Sequence, residues 1–183
     1  MEIEPDLPVV PDLPPVWLLD VDGVVNARRP GWGRSARRAD VWSEADRCEY
    51  PLRWAGALVD RIRSLHVSGA VEVRWCSTWC PEADLLERLW QLPALGRALD
   101  CDPVPKGELG WPVKLAAARA VLAAGRTLVW TDDEAIPTGD RMLDRAVARG
   151  TALLIAPDPG RGLRPADLDA IEAFARLRND GHD

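Results

Sequence analysis

Two aspartates one residue apart, Asp20 and Asp22, stand at the exit of the apolar run Trp17-Leu18-Leu19, and Gly23 follows at once. Neighbouring carboxylates repel and are costly to desolvate, so their place at the end of a buried strand implies a cation or a reacting group that offsets the cost. If the strand continues, Asp20 and Asp22 share its parity and leave the same face. Asp132 and Asp133 follow a second apolar run, Leu128-Val129-Trp130-Thr131. Ser77 and Thr78 follow a third, and Lys114 lies just after Pro112 at the head of an alanine-rich segment. Three or four carboxylates make a hard oxygen site suited to Mg²⁺. A hydroxyl and an ammonium add donors for phosphate oxygens. One carboxylate facing phosphorus can attack it, giving an aspartyl-phosphate. A second, two residues on, can protonate the leaving oxygen and later activate water.

The elements that must position these groups are legible as hydrophobic patterns. Short apolar runs at 16–20, 71–76, 97–101, 127–131 and 151–156 predict strands. Helices are predicted over 52–66, 81–92, 112–125, 140–149 and 165–178, two of them opened by Pro112 and Pro165. The first should bury Ala55, Leu58, Val59, Ile62 and Leu65, and the last Leu168, Ile171, Phe174 and Leu177. Strand–helix alternation five times over predicts an α/β fold, a doubly wound, five-stranded parallel sheet of Rossmann-like form with helices on both faces. In such sheets ligands bind at the carboxyl ends of the strands, where Asp20, Ser77 and Asp132 would converge.

Outside that core, residues 1–15 read as an extended proline-rich arm and 16–183 as one domain. Residues 27–50 lack core periodicity and read as a long flap or loop. Arg28, Arg29, Arg34, Arg37 and Arg38 lie in it; a solvated loop is the plain reading, an anion-binding flap the sharper one. Trp17, Trp75 and Trp130 are expected in the core beside strand ends. The formal net charge of −6 argues against a broad nucleic-acid surface. No run of about 18 apolar residues predicts a membrane span, and the acidic start lacks the form of a signal peptide, so a cytoplasmic location is expected. Cys48, Cys76, Cys80 and Cys101 are spaced for neither zinc nor a disulfide framework and are expected reduced. His66 reads as a helix-end residue and His182 as part of a tail.

Taken together, Asp20-Val21-Asp22-Gly23-Val24, Val73-Arg74-Trp75-Cys76-Ser77-Thr78, Lys114 and Val129-Trp130-Thr131-Asp132-Asp133 resemble the four motifs of the haloacid dehalogenase (HAD) superfamily, in order and placement, over residues 16–160. The resemblance implies Asp20 as nucleophile and Mg²⁺ ligand. Asp22 would be general acid and base, with its backbone carbonyl on the metal. Ser77, or Thr78 if the strand ends later, would hold the phosphoryl group, and Lys114 would neutralise nucleophile and phosphate. Asp133 or Asp132 would complete the metal site, Asp133 as the favoured direct ligand. An acid at position 22 points to phosphatases rather than dehalogenases or ion pumps.

Only 50 residues separate Asn26 from Ser77 and 17 separate Lys114 from Asp132, too few for a full cap domain. The chain therefore resembles the capless group. The implied substrate is a phosphomonoester, either on a large molecule admitted by an open site or on a small one if another subunit of a homo-oligomer covers it. Asp-Val-Asp-Gly-Val-Val-Asn with Cys-Ser-Thr-Trp also resembles small HAD domains of RNA repair, which makes a polynucleotide-end phosphatase the alternative enzyme, with the flap arginines and nearby tryptophans on the nucleotide. A non-catalytic Mg²⁺- or phosphate-binding module is the alternative of a different class.

Overall fold

A computed structural model describes residues 13–179. The expected arm at 1–15 lies outside them except for its last three residues, as does His182. β1 (Val16–Leu19) is buried at all four residues, which requires cover on both faces. It is the central strand of a parallel sheet in the order β5-β4-β1-β6-β7. Its neighbours are β4 (Glu72–Trp75) and β6 (Leu128–Thr131); β5 (Gly96–Arg97) and β7 (Ala152–Ile155) form the edges. The chain passes from β1 outward through β4 to β5, then crosses back to β6 and β7. The reversal puts a topological switch point at the carboxyl end of β1, where open α/β sheets bind ligands. Leu19 is in register with Trp75 on one side and Thr131 on the other. The residues that leave the sheet at that level are Asp20, Cys76 and Asp132.

Among the described residues, five helices complete the fold: α1 (Gly56–Val67), α2 (Ala83–Trp90), α3 (Trp111–Ala123), α4 (Arg141–Ala148) and α5 (Pro165–Asn179). α1 packs on β4 and α5, while α3 packs on β6 and α4. α1 buries Leu58, Val59, Ile62 and Leu65 as its spacing predicts. α5 buries Leu168 and Ile171, but Leu177 is 75% exposed and Ala175 takes the inward place. Asp140 caps α4, its Oδ1 accepting from the amides of Met142 and Leu143. Trp17, Trp75 and Trp130 are fully buried, as expected. The indole N–H of Trp17 donates to Thr131 Oγ1 (2.9 Å) and that of Trp75 to Glu87 Oε1 (3.0 Å), so two of these large side chains enter the core with their polar edge satisfied. The four cysteines are free. No helix among the described residues is long and apolar enough to cross a membrane.

One expectation needs correction. The stretch read as a loop over 27–50 holds an antiparallel hairpin, β2 (Arg37–Ser43) and β3 (Cys48–Trp54), inserted between β1 and α1. β3 uses residues 52–54, so α1 begins at Gly56 instead of 52. The hairpin pairs only with itself, and only Ser43, Leu52 and Trp54 of its strands are buried. Apolar and polar residues alternate along β3 with burial following, but Pro51 inside the run and Arg37-Arg38 at the head of β2 read against strands. Its end is tied to the core by Glu82, whose carboxylate accepts from Ser43 Oγ (2.5 Å) and the Glu44 amide (2.7 Å).

Candidate functional site

The carboxyl ends of β1, β4 and β6 open into a cleft of about 360 Å³. The stop of β1 at Leu19 overrides the parity expected for the two aspartates. Asp20 turns inward and is 6% exposed, whereas Asp22 is exposed on the cleft wall. Asp20 Oδ1 accepts from the Val21 amide (2.7 Å) and Oδ2 from Lys114 Nζ (2.6 Å). Lys114 also donates to Asp132 Oδ2 (2.7 Å). It sits in the first turn of α3 and is 8% exposed, so its charge is taken out of water between two carboxylates. Burial would lower its pKa, yet Asp20 and Asp132 raise it above the ordinary lysine value.

Asp132 is fully buried and heavily committed, because Oδ1 also accepts from the amides of Glu134 (3.1 Å) and Ala135 (2.7 Å). Asp133 is half-buried and packs against Gly23. Carboxylate oxygens of Asp20, Asp132 and Asp133 lie within 4.8 Å of one another and could hold a metal ion. Hard carboxylate oxygens crowded about a single ammonium fit a divalent cation such as Mg²⁺. The Asp22 carboxylate is outside this cluster. Its Oδ1 accepts from Asn26 Nδ2 (2.7 Å) and its Oδ2 from Trp79 Nε1 (3.0 Å). Ser77 is 1% exposed, with its hydroxyl against Asp20, while Thr78 lines the cleft. The seven expected site residues thus gather at one strand edge, with the Asp22 carboxylate on the same cleft but outside the three-carboxylate cluster.

Burial pushes the Asp20 carboxyl up to about 7, with Lys114 opposing and Asp132 adding to the rise. Burial and the Asp132 charge push Asp133 up to about 6. The ordinary value for both is 3.8. The folded chain therefore binds these two protons more tightly than the unfolded chain. Their stabilising contribution is complete below about pH 4 and is lost as pH rises through about 6 to 7. A divalent cation must displace the same protons. Thermal unfolding with Mg²⁺ against a chelator is expected to show a larger metal-induced rise in Tm near pH 8 than near pH 5. An equal rise at both would contradict the carboxylate site.

Gly23 is required twice over. Its φ is +73°, and a Cβ there would lie 2.3 Å from the Asp133 carboxylate. Gly23→Ala is expected to cost about 2 kcal/mol from backbone strain alone and to displace Asp133. Chemical denaturation and a metal titration read the two effects separately; an unchanged midpoint and unchanged metal affinity would refute the close packing.

Two residues of the site carried no signal of their own in the sequence, and a third, Asn26, entered only as the last residue of the Asp-Val-Asp-Gly-Val-Val-Asn stretch. Asn26 bonds Asp22 and, through Oδ1, accepts from the Arg53 amide (2.8 Å), tying the first loop to β3. Tyr50 on β3 meets Trp79 edge-on (5.4 Å between ring centroids) and donates to Asp46 Oδ2 (2.7 Å). Lys106, on the segment before α3, pairs with the same Asp46 carboxylate. The hairpin tip and the 102–107 segment therefore meet over the cleft. None of the flap arginines lines it. The uniqueness of Tyr50 in a chain with nine tryptophans is a cue that no spacing rule converts into a site.

The fold and the site define an open α/β protein with a Rossmann-like core and an acidic, metal-competent cleft at its switch point. No protein-family model matches the chain, and comparison with curated proteins yields no significant match.

Proposed function

We propose that this chain is a HAD-type, Mg²⁺-dependent phosphatase that hydrolyses a phosphomonoester through an aspartyl-phosphate. The single observation that carries the reading is the bridging of Asp20 and Asp132 by the buried Lys114 ammonium, within a three-carboxylate cluster at the ends of β1 and β6. One buried ammonium balances only part of the charge of three clustered carboxylates. A bound Mg²⁺ on Asp20, Asp132 or Asp133, with the Asp22 backbone carbonyl, would offset that charge and polarise the phosphoryl oxygens.

The chain's own groups then divide the work. An Asp20 oxygen attacks phosphorus, the bond from phosphorus to the leaving oxygen breaks, and the leaving oxygen takes a proton from Asp22. In the second half, water attacks phosphorus and gives its proton to the Asp22 carboxylate. The bond between phosphorus and the Asp20 oxygen breaks, and phosphate leaves. Ser77 or Thr78 supplies the hydroxyl that orients the phosphoryl group, and Lys114 neutralises the charge that builds on it. Trp79 and Asn26 hold the Asp22 carboxylate out of the metal cluster, which keeps it free for proton transfer.

Phosphate release from a panel of aryl phosphates, nucleotides, sugar phosphates and 5′- or 3′-phosphorylated oligonucleotides, with Mg²⁺ and with a chelator, tests the reading. Metal-dependent release is the expected result. Binding of Mg²⁺ or phosphate with no release from any substrate would overturn it in favour of the non-catalytic module.

A further inference from the structure

The outer half of the cleft is built unlike the phosphoryl end. Among the described residues, eight carboxylates line the whole cleft against two ammonium groups, Lys106 and Lys114, and no arginine. Both ammonium groups are engaged, Lys114 by Asp20 and Asp132, Lys106 by Asp46. Asp102 and Glu134 add exposed carboxylates to the lining. A leaving group with further phosphates would bring negative charge against this rim with no free cation to receive it. Nucleic-acid ends are held chiefly by Arg and Lys on neighbouring phosphates. The arginines that could do this, at 28, 29, 34, 37 and 38, lie outside the lining.

The uncharged surface of the outer cleft is apolar. Tyr50 comes from the hairpin, Trp79 from the turn after β4, and Pro103, Val104 and Pro105 from the segment before α3. Tyr50 is held in place by its bond to Asp46 and its contact with Trp79. The Lys106–Asp46 pair joins the two lips. A volume of about 360 Å³ sits at the low end of the roughly 300–1,000 Å³ typical of small-molecule sites, which suits a monomer.

From this arrangement, and resting on the phosphatase reading above, we infer that the substrate is a small phosphomonoester with one phosphoryl group and an uncharged, apolar-faced leaving group, of the aryl or nucleoside kind. The Tyr50 wall and the 103–105 segment hold the leaving group, and the acidic rim rejects polyanions.

The test compares kcat/KM with Mg²⁺ for four probes: an aryl phosphate, a nucleoside 5′-monophosphate, a nucleoside 3′,5′-bisphosphate and a 5′-phosphorylated oligonucleotide. The first two arms separate the two sources of an apolar leaving group. Either is expected to exceed the last two by at least about tenfold. Tyr50→Ala is expected to raise KM for the preferred monoester several-fold with kcat little changed. Asp102→Lys, at an exposed rim position, is expected to raise kcat/KM several-fold for the bisphosphate but not for the monophosphate, and salt should erase that gain. A preference for the bisphosphate or oligonucleotide in the wild type would overturn this inference while leaving the phosphatase reading intact. No release from any probe would remove the phosphatase reading itself, and this inference with it.

Discussion

Asp20→Asn is expected to abolish metal-dependent phosphate release, by about 10⁴-fold or more, the scale on which loss of a covalent nucleophile is felt. The fold should survive. Asp20 is a buried carboxylate whose protonated form is already favoured, up to about 7, so a neutral amide removes a charge that the interior resists. Against that gain, the amide can satisfy only one of the two donors now on Asp20, the Val21 amide and Lys114 Nζ. Lys114 keeps Asp132 as partner. These opposing effects are each about 1–2 kcal/mol, so Tm should move by no more than a few degrees. Circular dichroism melts beside phosphate-release assays separate the outcomes. Activity within tenfold of wild type would exclude Asp20 as nucleophile.

Lys114→Met is the variant with the largest expected effect on stability. It keeps an unbranched stem as far as Cε and removes the ammonium, leaving Asp20 and Asp132 buried beside one another with no opposing charge. Breaking a buried ion pair on one side costs roughly 3–5 kcal/mol. For a chain of this size that corresponds to a fall in Tm of about 6–20 °C. The sign of the pH dependence follows from which form is orphaned. Without the ammonium, Asp20 loses the charge that opposes its raised pKa and binds its proton more tightly in the folded state, so the loss is greatest near pH 8 and shrinks near pH 5. Added Mg²⁺ should recover part of the stability at the higher pH. Turnover should fall by about 10²–10³-fold, as for removal of one group that stabilises developing charge. An unchanged Tm at both pH values would mean that the lysine does not neutralise these carboxylates.

Much of the core was legible before any coordinates. β1 is apolar at every position and β6 at all but Thr131, because a strand in the middle of a parallel sheet is covered on both faces. α1 shows the 3.6-residue stripe because it has one buried face. Such strong local patterns also carried the order of the motifs along the chain. The hairpin was not legible. Its second strand does alternate, Cys48-Glu49-Tyr50-Pro51-Leu52-Arg53-Trp54, and burial follows the same two-residue period, but Pro51 inside the run reads against a strand and Arg37-Arg38 open its partner with no apolar residue. The end of α5 misled in the opposite sense: Leu177 keeps the helical spacing but stands exposed, since the stripe outruns the surface it covers.

By itself, then, the sequence determined an alternating α/β chain, the strand ends at which acidic and hydroxyl residues emerge, and the absence of room for a large insertion between them. Only the tertiary structure decided how those residues face one another. It buried Lys114 between Asp20 and Asp132, although a lysine in a first helical turn is ordinarily solvated. It bonded the Asp22 carboxylate to Trp79 and Asn26, outside the three-carboxylate cluster. It also set the hairpin and the 102–107 segment over the cleft in place of an open mouth. The physical reason is one of range. Secondary structure answers to neighbours three or four residues away, whereas the contacts that make the site join residues 57 and 94 positions apart. Those distances are closed by packing the sheet and helices together, and no local pattern records them.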